Sequence, residues 1–560
     1  MMSPLTELQK QRQEYQAKLP TVLRNIAQLH PNMIAASTER EHSALSELFP
    51  HTLGQRSLEF SLGERQQHQP LRVGVVFSGG QAAGGHNVIT GLFDALKTLH
   101  SQSRLFGFLG GPRGIIDRAE IELTEEKLKH YRNQGGFDLL GSGRDKIETS
   151  DHFESAEKTA KEMRLDGIVI IGGDDSNTNA ALLAEYFKGK GMATHVIGVP
   201  KTIDGDLKNE SIEISFGFDT AAKTFSEIIG NVLRDSLSAK KYYFFIKLMG
   251  RSASHLALEC ALQTHPNLTL IGEEVQEKQQ TLQDLAGYIC DAVCARAEQS
   301  KNYGVVLVPE GIIEFIPEMR QLIPELNRLD LDSTLSREEK IAAASKQLSI
   351  DSLSCFRSLP QNIQAQLLLD RDPHGNVKVS QIETERLFIA KVKEELRARK
   401  TQGTYLGTFS AQPLFCGYEG RSCLPSNFDC QYCYALGHVA ALLINVGATG
   451  YMSCVKNLAN SVEDWTVAGV PLTSMIHMEI RKGASKPVIK KALVNLEGNP
   501  FKAFKKQRDE WVIHDDYRYP GPIQFFGPSK LTDAISLTLE YESRAPDSSD
   551  THCHPNLRPC

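Results

Sequence analysis

Short apolar runs recur along the middle of the chain, each ending in a glycine-rich or acidic turn and followed by helical spacing. The run LRVGVVF (71–77) is uninterrupted and rich in β-branched residues, the pattern of a parallel strand buried on both faces. It meets SGGQAAGG (78–85), beyond which Val88, Ile89, Leu92, Leu96 and Leu99 fall on one face of a helix beginning near Gly85. The unit repeats as GIVIIGG (167–173), the turn Asp174-Asp175-Ser176-Asn177, and a helix through Leu183 and Phe187. VIGVP (196–200) then leads into KTIDGDL (201–207). Three strands that each deliver such a turn predict a doubly wound α/β sheet, where ligands gather at the carboxyl ends of the strands.

A second α/β region follows, with strands expected at YYFFIKLMG (242–250) and YGVVLVP (303–309). Residues 316–399 change character. They are rich in Leu, Glu, Lys and Arg, and QIETERLFIAKVKEELRAR (381–399) has helical periodicity with alternating charge, which predicts a mainly helical insertion. Residues 1–70 read as a helical N-terminal arm with turn signals at Leu19-Pro20, His30-Pro31 and Phe49-Pro50. The expected partition is therefore 1–70 as the arm and 71–235 as a first α/β domain. Residues 236–315 with 400–470 form a second, 316–399 the insertion and 471–560 a C-terminal segment. The tail APDSSDTHCHPNLRPC (545–560) is expected to be disordered, and Lys486, Lys490 and Lys491 are expected on a solvated helix face, with a basic patch as the alternative.

Composition narrows the function classes. With 560 residues the chain needs more than one domain, and 41% apolar with 23% charged residues is ordinary for a soluble protein. A formal charge of -6 leaves no broad basic field for nucleic acid, so an anionic ligand must be held by a local constellation. No apolar stretch approaches the length of a membrane span, and MMSPLTELQKQRQEY lacks the apolar centre of a signal peptide. A cytoplasmic protein is expected. Among the eleven cysteines, Cys416, Cys423, Cys430 and Cys433 cluster, but only the last pair has CxxC spacing, so reduced structural thiols are expected rather than zinc.

Three turns have the means to carry chemistry. In Ser78–Gly85 the glycines allow positive φ and close backbone approach to an anion at a helix start. A tight structural turn accounts for it too, and it is neither a Walker loop nor GxGxxG. Asp174 and Asp175 are adjacent carboxylates at a strand end, suited to a Mg²⁺ that takes one or two carboxylates plus phosphate oxygens. Capping of a helix N-terminus is the competing account. Pro200-Lys201-Thr202-Ile203-Asp204-Gly205-Asp206 sets a lysine able to neutralise a transferring phosphoryl group three positions from a carboxylate able to accept a hydroxyl proton, and a charged surface turn is the competing account. Downstream, Met249-Gly250-Arg251, Pro309-Glu310-Gly311 and Gly417-Tyr418-Glu419-Gly420-Arg421 hold arginines that suit phosphate and a carboxylate that suits sugar hydroxyls. Each alone fits a surface arginine paired with a neighbour equally well, and their value lies in the combination.

The set GGQAAGG, GGDDSN, PKTIDGD, MGR, PEG and GYEGR, in this order, resembles the phosphofructokinase family, and within it the long pyrophosphate-dependent form. The resemblance covers about 70–312 and 400–470, and it implies two phosphofructokinase-type α/β domains. It also implies reversible phosphoryl transfer from pyrophosphate to the C1 hydroxyl of fructose 6-phosphate, a step of glycolysis and gluconeogenesis, with Mg²⁺. It implies Asp204 as general base, with Lys201, Asp175 and Arg251 as further catalytic residues and Asp174 as the Mg²⁺ ligand. Gly80 and Arg144 would bind pyrophosphate. Thr202, Ile203, Met249, Gly250, Arg251, Glu310 and the loop Tyr418, Glu419, Gly420, Arg421 would bind the sugar phosphate. Lys241 and Tyr242 would reach the substrate of a neighbouring subunit, implying a homodimer with shared sites.

Donor choice has its own argument. In ATP-using relatives the position of Asp175 is typically glycine, leaving room for the α-phosphate. A carboxylate about 4 Å from a like charge costs about 4 kcal/mol at an effective dielectric near 20, around a thousandfold against ATP. Where the family usually has proline in GGxAPGG, this chain has Ala83, which leaves the loop less stiff and is expected to loosen donor binding modestly. The alternatives are an ATP-dependent member with an unusual loop, a silent regulatory subunit, or a dinucleotide-binding oxidoreductase, the last opposed by the lack of GxGxxG after a strand. Retention of Lys201, Asp204, Asp174 and Arg251 opposes the second.

Overall fold

The computed structural model describes residues 5–34, 43–329, 336–369, 371, 377–481 and 484–544, so the tail 545–560 lies outside the described residues. The strands are β1 (Leu29–Met33), β2 (Leu58–Leu62), β3 (Arg72–Phe77), β4 (Arg104–Phe108), β5 (Glu120–Leu123), β6 (Gly167–Gly172), β7 (His195–Thr202) and β8 (Phe216–Gly217). There follow β9 (Tyr243–Leu248), β10 (Leu268–Thr269), β11 (Gly304–Pro309), β12 (Ala411–Cys416), β13 (Tyr451–Lys456), β14 (Thr466–Pro471), β15 (Ile476–Arg481) and β16 (Ala484–Ile489). The larger sheet runs β1-β2-β14-β13-β7-β6-β3-β4-β5, with β8 beside β7, and the smaller runs β10-β11-β9-β12. Both have parallel cores covered by helices, as expected of apolar runs with no polar face.

Register decides where the turns end up. Phe77 pairs with Ile171 and Gly172 with Pro200, so β3, β6 and β7 finish in step and release their three turns side by side. In the smaller sheet Leu248 pairs with both Pro309 and Cys416, which aligns the three downstream motifs in the same way. The helix Gly85–Leu99 packs on the helix Asn427–Asn445 almost backbone to backbone. Gly91 faces the Tyr434 carbonyl and Gly437 faces the Val88 carbonyl, positions where any Cβ would collide.

The expected partition changes in two places. Only β12, from residues 400–470, joins the smaller sheet. The helix Asn427–Asn445 and the strands β13 and β14 belong to the larger one, where β13 runs parallel to β7. The arm holds a helix at Glu7–Glu14 and a 3₁₀ segment at Thr21–Gln28, but it also carries the β1–β2 hairpin. His30-Pro31 therefore sits inside β1 and not in a turn, which is tolerated because β1 is the sheet's outermost strand. The described residues of 316–399 are mainly helical, with Pro317–Asn327, Ile350–Ser358 and Thr384–Thr401 sharing a core with the underside of the smaller sheet. Among the described residues no helix is long and apolar enough to cross a membrane.

Candidate active site

The loop after β3 turns twice through left-handed backbone, at Gly79 (φ 84°) and Gly84 (φ 104°), before the helix Gly85–Leu99 starts. Its far wall is the segment carrying Arg144: Gly79 N donates to Gly143 O at 2.8 Å and Ser142 Oγ to Gly79 O at 2.5 Å. Arg144 itself is exposed next to that wall. Ala83 is fully buried, held by packing at the position where proline would have stiffened the loop.

Asp174 and Asp175 open the helix Asp174–Gly189. The Asp175 side chain is 55% exposed and pairs with Lys146 Nζ at 3.5 Å. Ser176 Oγ donates to Ser78 Oγ at 2.8 Å, tying this turn to the first. From the end of β7, buried Lys201 directs its ammonium under Gly79, where Nζ would lie 3.4 Å from an added Cβ. Burial first, then the Arg421 guanidinium, push its pKa down to about 8 against the opposing pull of Asp204 and Asp174. Thr202 Oγ1 accepts from Asp204 N at 3.0 Å and donates to Asp206 Oδ1 at 3.3 Å, which fixes both carboxylates on one tight turn. Asp206 is buried, and burial together with neighbouring Asp204 raises its pKa to about 6. Ile203 is buried behind them.

The smaller sheet supplies the facing wall. Glu310 Oε2 accepts from Gly250 N at 3.0 Å, while its buried Oε1 has no protein donor. Burial raises the Glu310 pKa, with Asp204 adding to the shift. Gly311 lies so close to the Arg251 carbonyl that no side chain fits there, and the Arg251 side chain reaches into solvent. Arg421 Nε contacts Met249 Sδ at 3.0 Å, and the guanidinium crosses the cleft to lie over Gly80. Tyr418 and Glu419 are exposed on the same loop, and Gly420 packs against Phe225.

Most of the residues singled out in the sequence thus converge between the two sheets. Lys241 and Tyr242 do not. They precede β9, at the opposite end from Met249-Gly250-Arg251. A residue the sequence reading set aside joins the cluster: Lys491 Nζ stands 3.6 Å from Asp174 Oδ2, 3.7 Å from Asp206 Oδ2 and 2.6 Å from Ser252 Oγ. It follows strand β16 and is not part of a helix, unlike the solvated helix face expected there, whereas Lys486 and Lys490 are exposed. Burial disfavours its charge, but Asp174, Asp206 and Asp204 together hold its pKa above the ordinary lysine value. Cys430 and Cys433 are buried in the core, and Cys430 Sγ meets Arg12 Nη2 at 3.1 Å.

The phosphofructokinase family profile matches residues 72–353. The chain is similar over 98% of its length to the pyrophosphate–fructose 6-phosphate 1-phosphotransferase of Treponema pallidum, at 50% identity and covering 99% of that protein. It is 52% identical to the beta 2 subunit of the pyrophosphate–fructose 6-phosphate 1-phosphotransferase of Arabidopsis thaliana, over 97% of this chain and 95% of the relative. Among solved structures, the pyrophosphate-dependent phosphofructokinase of Nitrosospira multiformis superposes with a TM-score of 0.53 at 16% identity, covering 84% of this chain and 96% of that one. At that identity the likeness speaks for the fold alone.

Proposed function

The chain belongs to the phosphofructokinase family, and we propose that its cleft transfers a phosphoryl group from pyrophosphate to the C1 hydroxyl of fructose 6-phosphate. The products are fructose 1,6-bisphosphate and phosphate, and the reaction is reversible. One observation carries the reading: two sets of strand ends face each other closely enough for Arg421 to perturb Lys201 and for Asp204 to perturb Glu310. A proton acceptor and a phosphate-neutralising lysine from one sheet thereby meet sugar-binding groups from the other.

Asp204 takes the proton from the C1 hydroxyl as the oxygen attacks phosphorus, and the Thr202 bonds keep its backbone from drifting. Lys201, with little water around it, offsets charge on the transferring group, where such a donor is worth on the order of 10² to 10³ in rate. The backbone N–H of Gly80 and the side chain of Arg144 bind pyrophosphate. Glu310 Oε1, lacking a protein donor, is free to accept from a sugar hydroxyl. Met249, Gly250 and Arg251 line the sugar with Thr202 and Ile203, and Tyr418 to Arg421 hold its phosphate.

A divalent cation fits these residues. Asp174 and Asp206 already hold a positive charge, the Lys491 ammonium, and hard carboxylate oxygens beside open space suit Mg²⁺. Bound by Asp174, Mg²⁺ would neutralise phosphate oxygens and favour departure of the leaving phosphate. Lys241 and Tyr242, at the far end of β9, serve the cleft of a second copy, which makes the working unit a homodimer. A reducing cytoplasm suits the nine unpaired cysteines among the described residues.

The test is the initial rate of fructose 1,6-bisphosphate formation with Mg²⁺ and fructose 6-phosphate, with pyrophosphate and ATP supplied in parallel. Turnover with pyrophosphate alone is the expected result. Turnover with ATP alone would keep the fold and the base but overturn the donor.

A further inference from the structure

We infer that Lys491 is a phosphate-facing residue of the donor site, a second ammonium acting on pyrophosphate alongside Lys201 and delivered by the C-terminal segment. The inference rests on the pyrophosphate reading above.

Three observations carry it. The segment is pinned from both sides of the cleft: Ala492 N donates to Asp206 O at 2.7 Å, His255 Nε2 to Ala492 O at 3.0 Å, and Val494 N to Glu273 Oε1 at 2.9 Å. The Lys491 backbone is thereby fixed, and its long side chain is the part free to adjust. Next, Nζ lies 3.6 to 3.7 Å from Asp174 and Asp206 and is aimed by Ser252 at 2.6 Å. If Asp174 holds the cation that the donor's oxygens share, those oxygens become neighbours of the Lys491 ammonium. Last, 34% of the side chain is open to solvent, so the lysine is not sealed inside the protein.

The chemistry follows from charge. Asp174, Asp204 and Asp206 gather at one spot, and a polyanion entering there meets repulsion that every nearby cation helps to offset. An ammonium on a flexible stem, with three donors, has the reach to turn from a carboxylate to a phosphate oxygen as that anion arrives. Lys491 is then a counter-ion to the carboxylates in the free enzyme and a ligand of the donor in the complex.

The experiment titrates full-length wild type, Lys491→Met and Lys491→Arg with pyrophosphate and, separately, with fructose 6-phosphate by calorimetry, with and without Mg²⁺. Steady-state kinetics follow on the same samples. In Lys491→Met, pyrophosphate affinity is expected to fall about tenfold or more and kcat by about a hundredfold, with fructose 6-phosphate affinity within about twofold. Lys491→Arg is expected to recover most of the pyrophosphate affinity. Unchanged pyrophosphate binding in folded Lys491→Met overturns the inference, as does an equal loss for both ligands, which marks a merely structural tie. If Lys491→Met does not fold, Ser252→Ala replaces it. Removing that single contact should weaken pyrophosphate about threefold and spare the sugar phosphate, and no change in either would overturn the inference. A wild-type protein that binds no pyrophosphate removes the functional reading itself, a result distinct from one confined to the variants.

Discussion

The guanidinium of Arg421 lies over the Cα of Gly80, so close that a methyl group there would strike Nη1. A loop proposed to hold the donor thus touches a loop proposed to hold the sugar phosphate. Gly80→Ala should displace the arginine and the backbone N–H together, raising KM for both substrates and lowering kcat at least about tenfold. Because the struck atoms are the far end of a flexible side chain, thermal stability should stay within a few degrees of wild type. Steady-state kinetics paired with a melting curve check both halves.

Asp204 accepts a proton in the proposed chemistry and carries little of the sugar's binding. Asp204→Ala should therefore lower kcat by about 10² to 10⁴ while KM for fructose 6-phosphate moves only a few-fold. Turnover near the wild-type value would remove Asp204 from the role of base.

Lys201 must be an ammonium to offset phosphoryl charge, and its pKa is depressed to about 8 by burial and Arg421. Protonated below that pH and neutral above it, the group predicts kcat/KM for pyrophosphate that is level below pH 8. Above pH 8 it should fall by about tenfold per unit. In Lys201→Arg the guanidinium stays charged throughout, so that limb should vanish even though overall activity drops. A limb that persists unchanged in the arginine variant would assign it to another group.

Asp175 should discriminate against ATP less than a naive charge count suggests. Its side chain is 55% exposed and shares its charge with Lys146 at 3.5 Å, so the thousandfold figure, which counts that charge in full, is reduced. Asp175→Gly is expected to raise the ATP-to-pyrophosphate rate ratio by about tenfold. An unchanged ratio would leave donor choice to other residues.

A shared site has a distinctive signature in mixtures. If Lys241 serves a partner's cleft, Lys241→Ala and Asp204→Ala chains are each weak alone. A heterodimer assembled from both holds one intact cleft. Mixing after reversible dissociation should restore activity well above the sum of the parts, measured as initial rate. No recovery from demonstrated heterodimers would confine each site to one chain.

Much of this arrangement is legible in the sequence because it is local. Apolar runs such as Val73–Phe77 and Ile168–Ile171 state both the strand and its burial, and the turn after each run sits where parallel register must put it. Sheet membership is not local. Tyr451–Lys456 and Thr466–Pro471 look alike whichever sheet receives them, and only the packing of the helix Asn427–Asn445 on Gly85–Leu99 selects the larger one. Lys491 was invisible for a related reason. Lys490 and Lys491 are adjacent and chemically identical, and only tertiary ties, among them those of Ala492 to Asp206 and His255, turn one of them inward. Asp206 has no role that its place in the Pro200–Asp206 turn alone would assign, and its burial makes it the perturbed carboxylate there.

The strand order of the larger sheet has a consequence for how the protein is made. Strands β13 and β14 occupy the slots between β7 and β2, yet β7 ends at Thr202 and β13 begins at Tyr451. On the ribosome, the first half of the catalytic cleft is complete in sequence long before its sheet closes. The Ile197–Gly198 stretch of β7 waits for its β13 partner while roughly 250 further residues emerge, the circumstance in which nascent strands recruit chaperones or each other. The larger sheet is thus completed late in translation, and a fragment ending between Arg421 and Tyr451 holds every proposed residue of the phosphate chemistry except Lys491 but lacks β13 and β14.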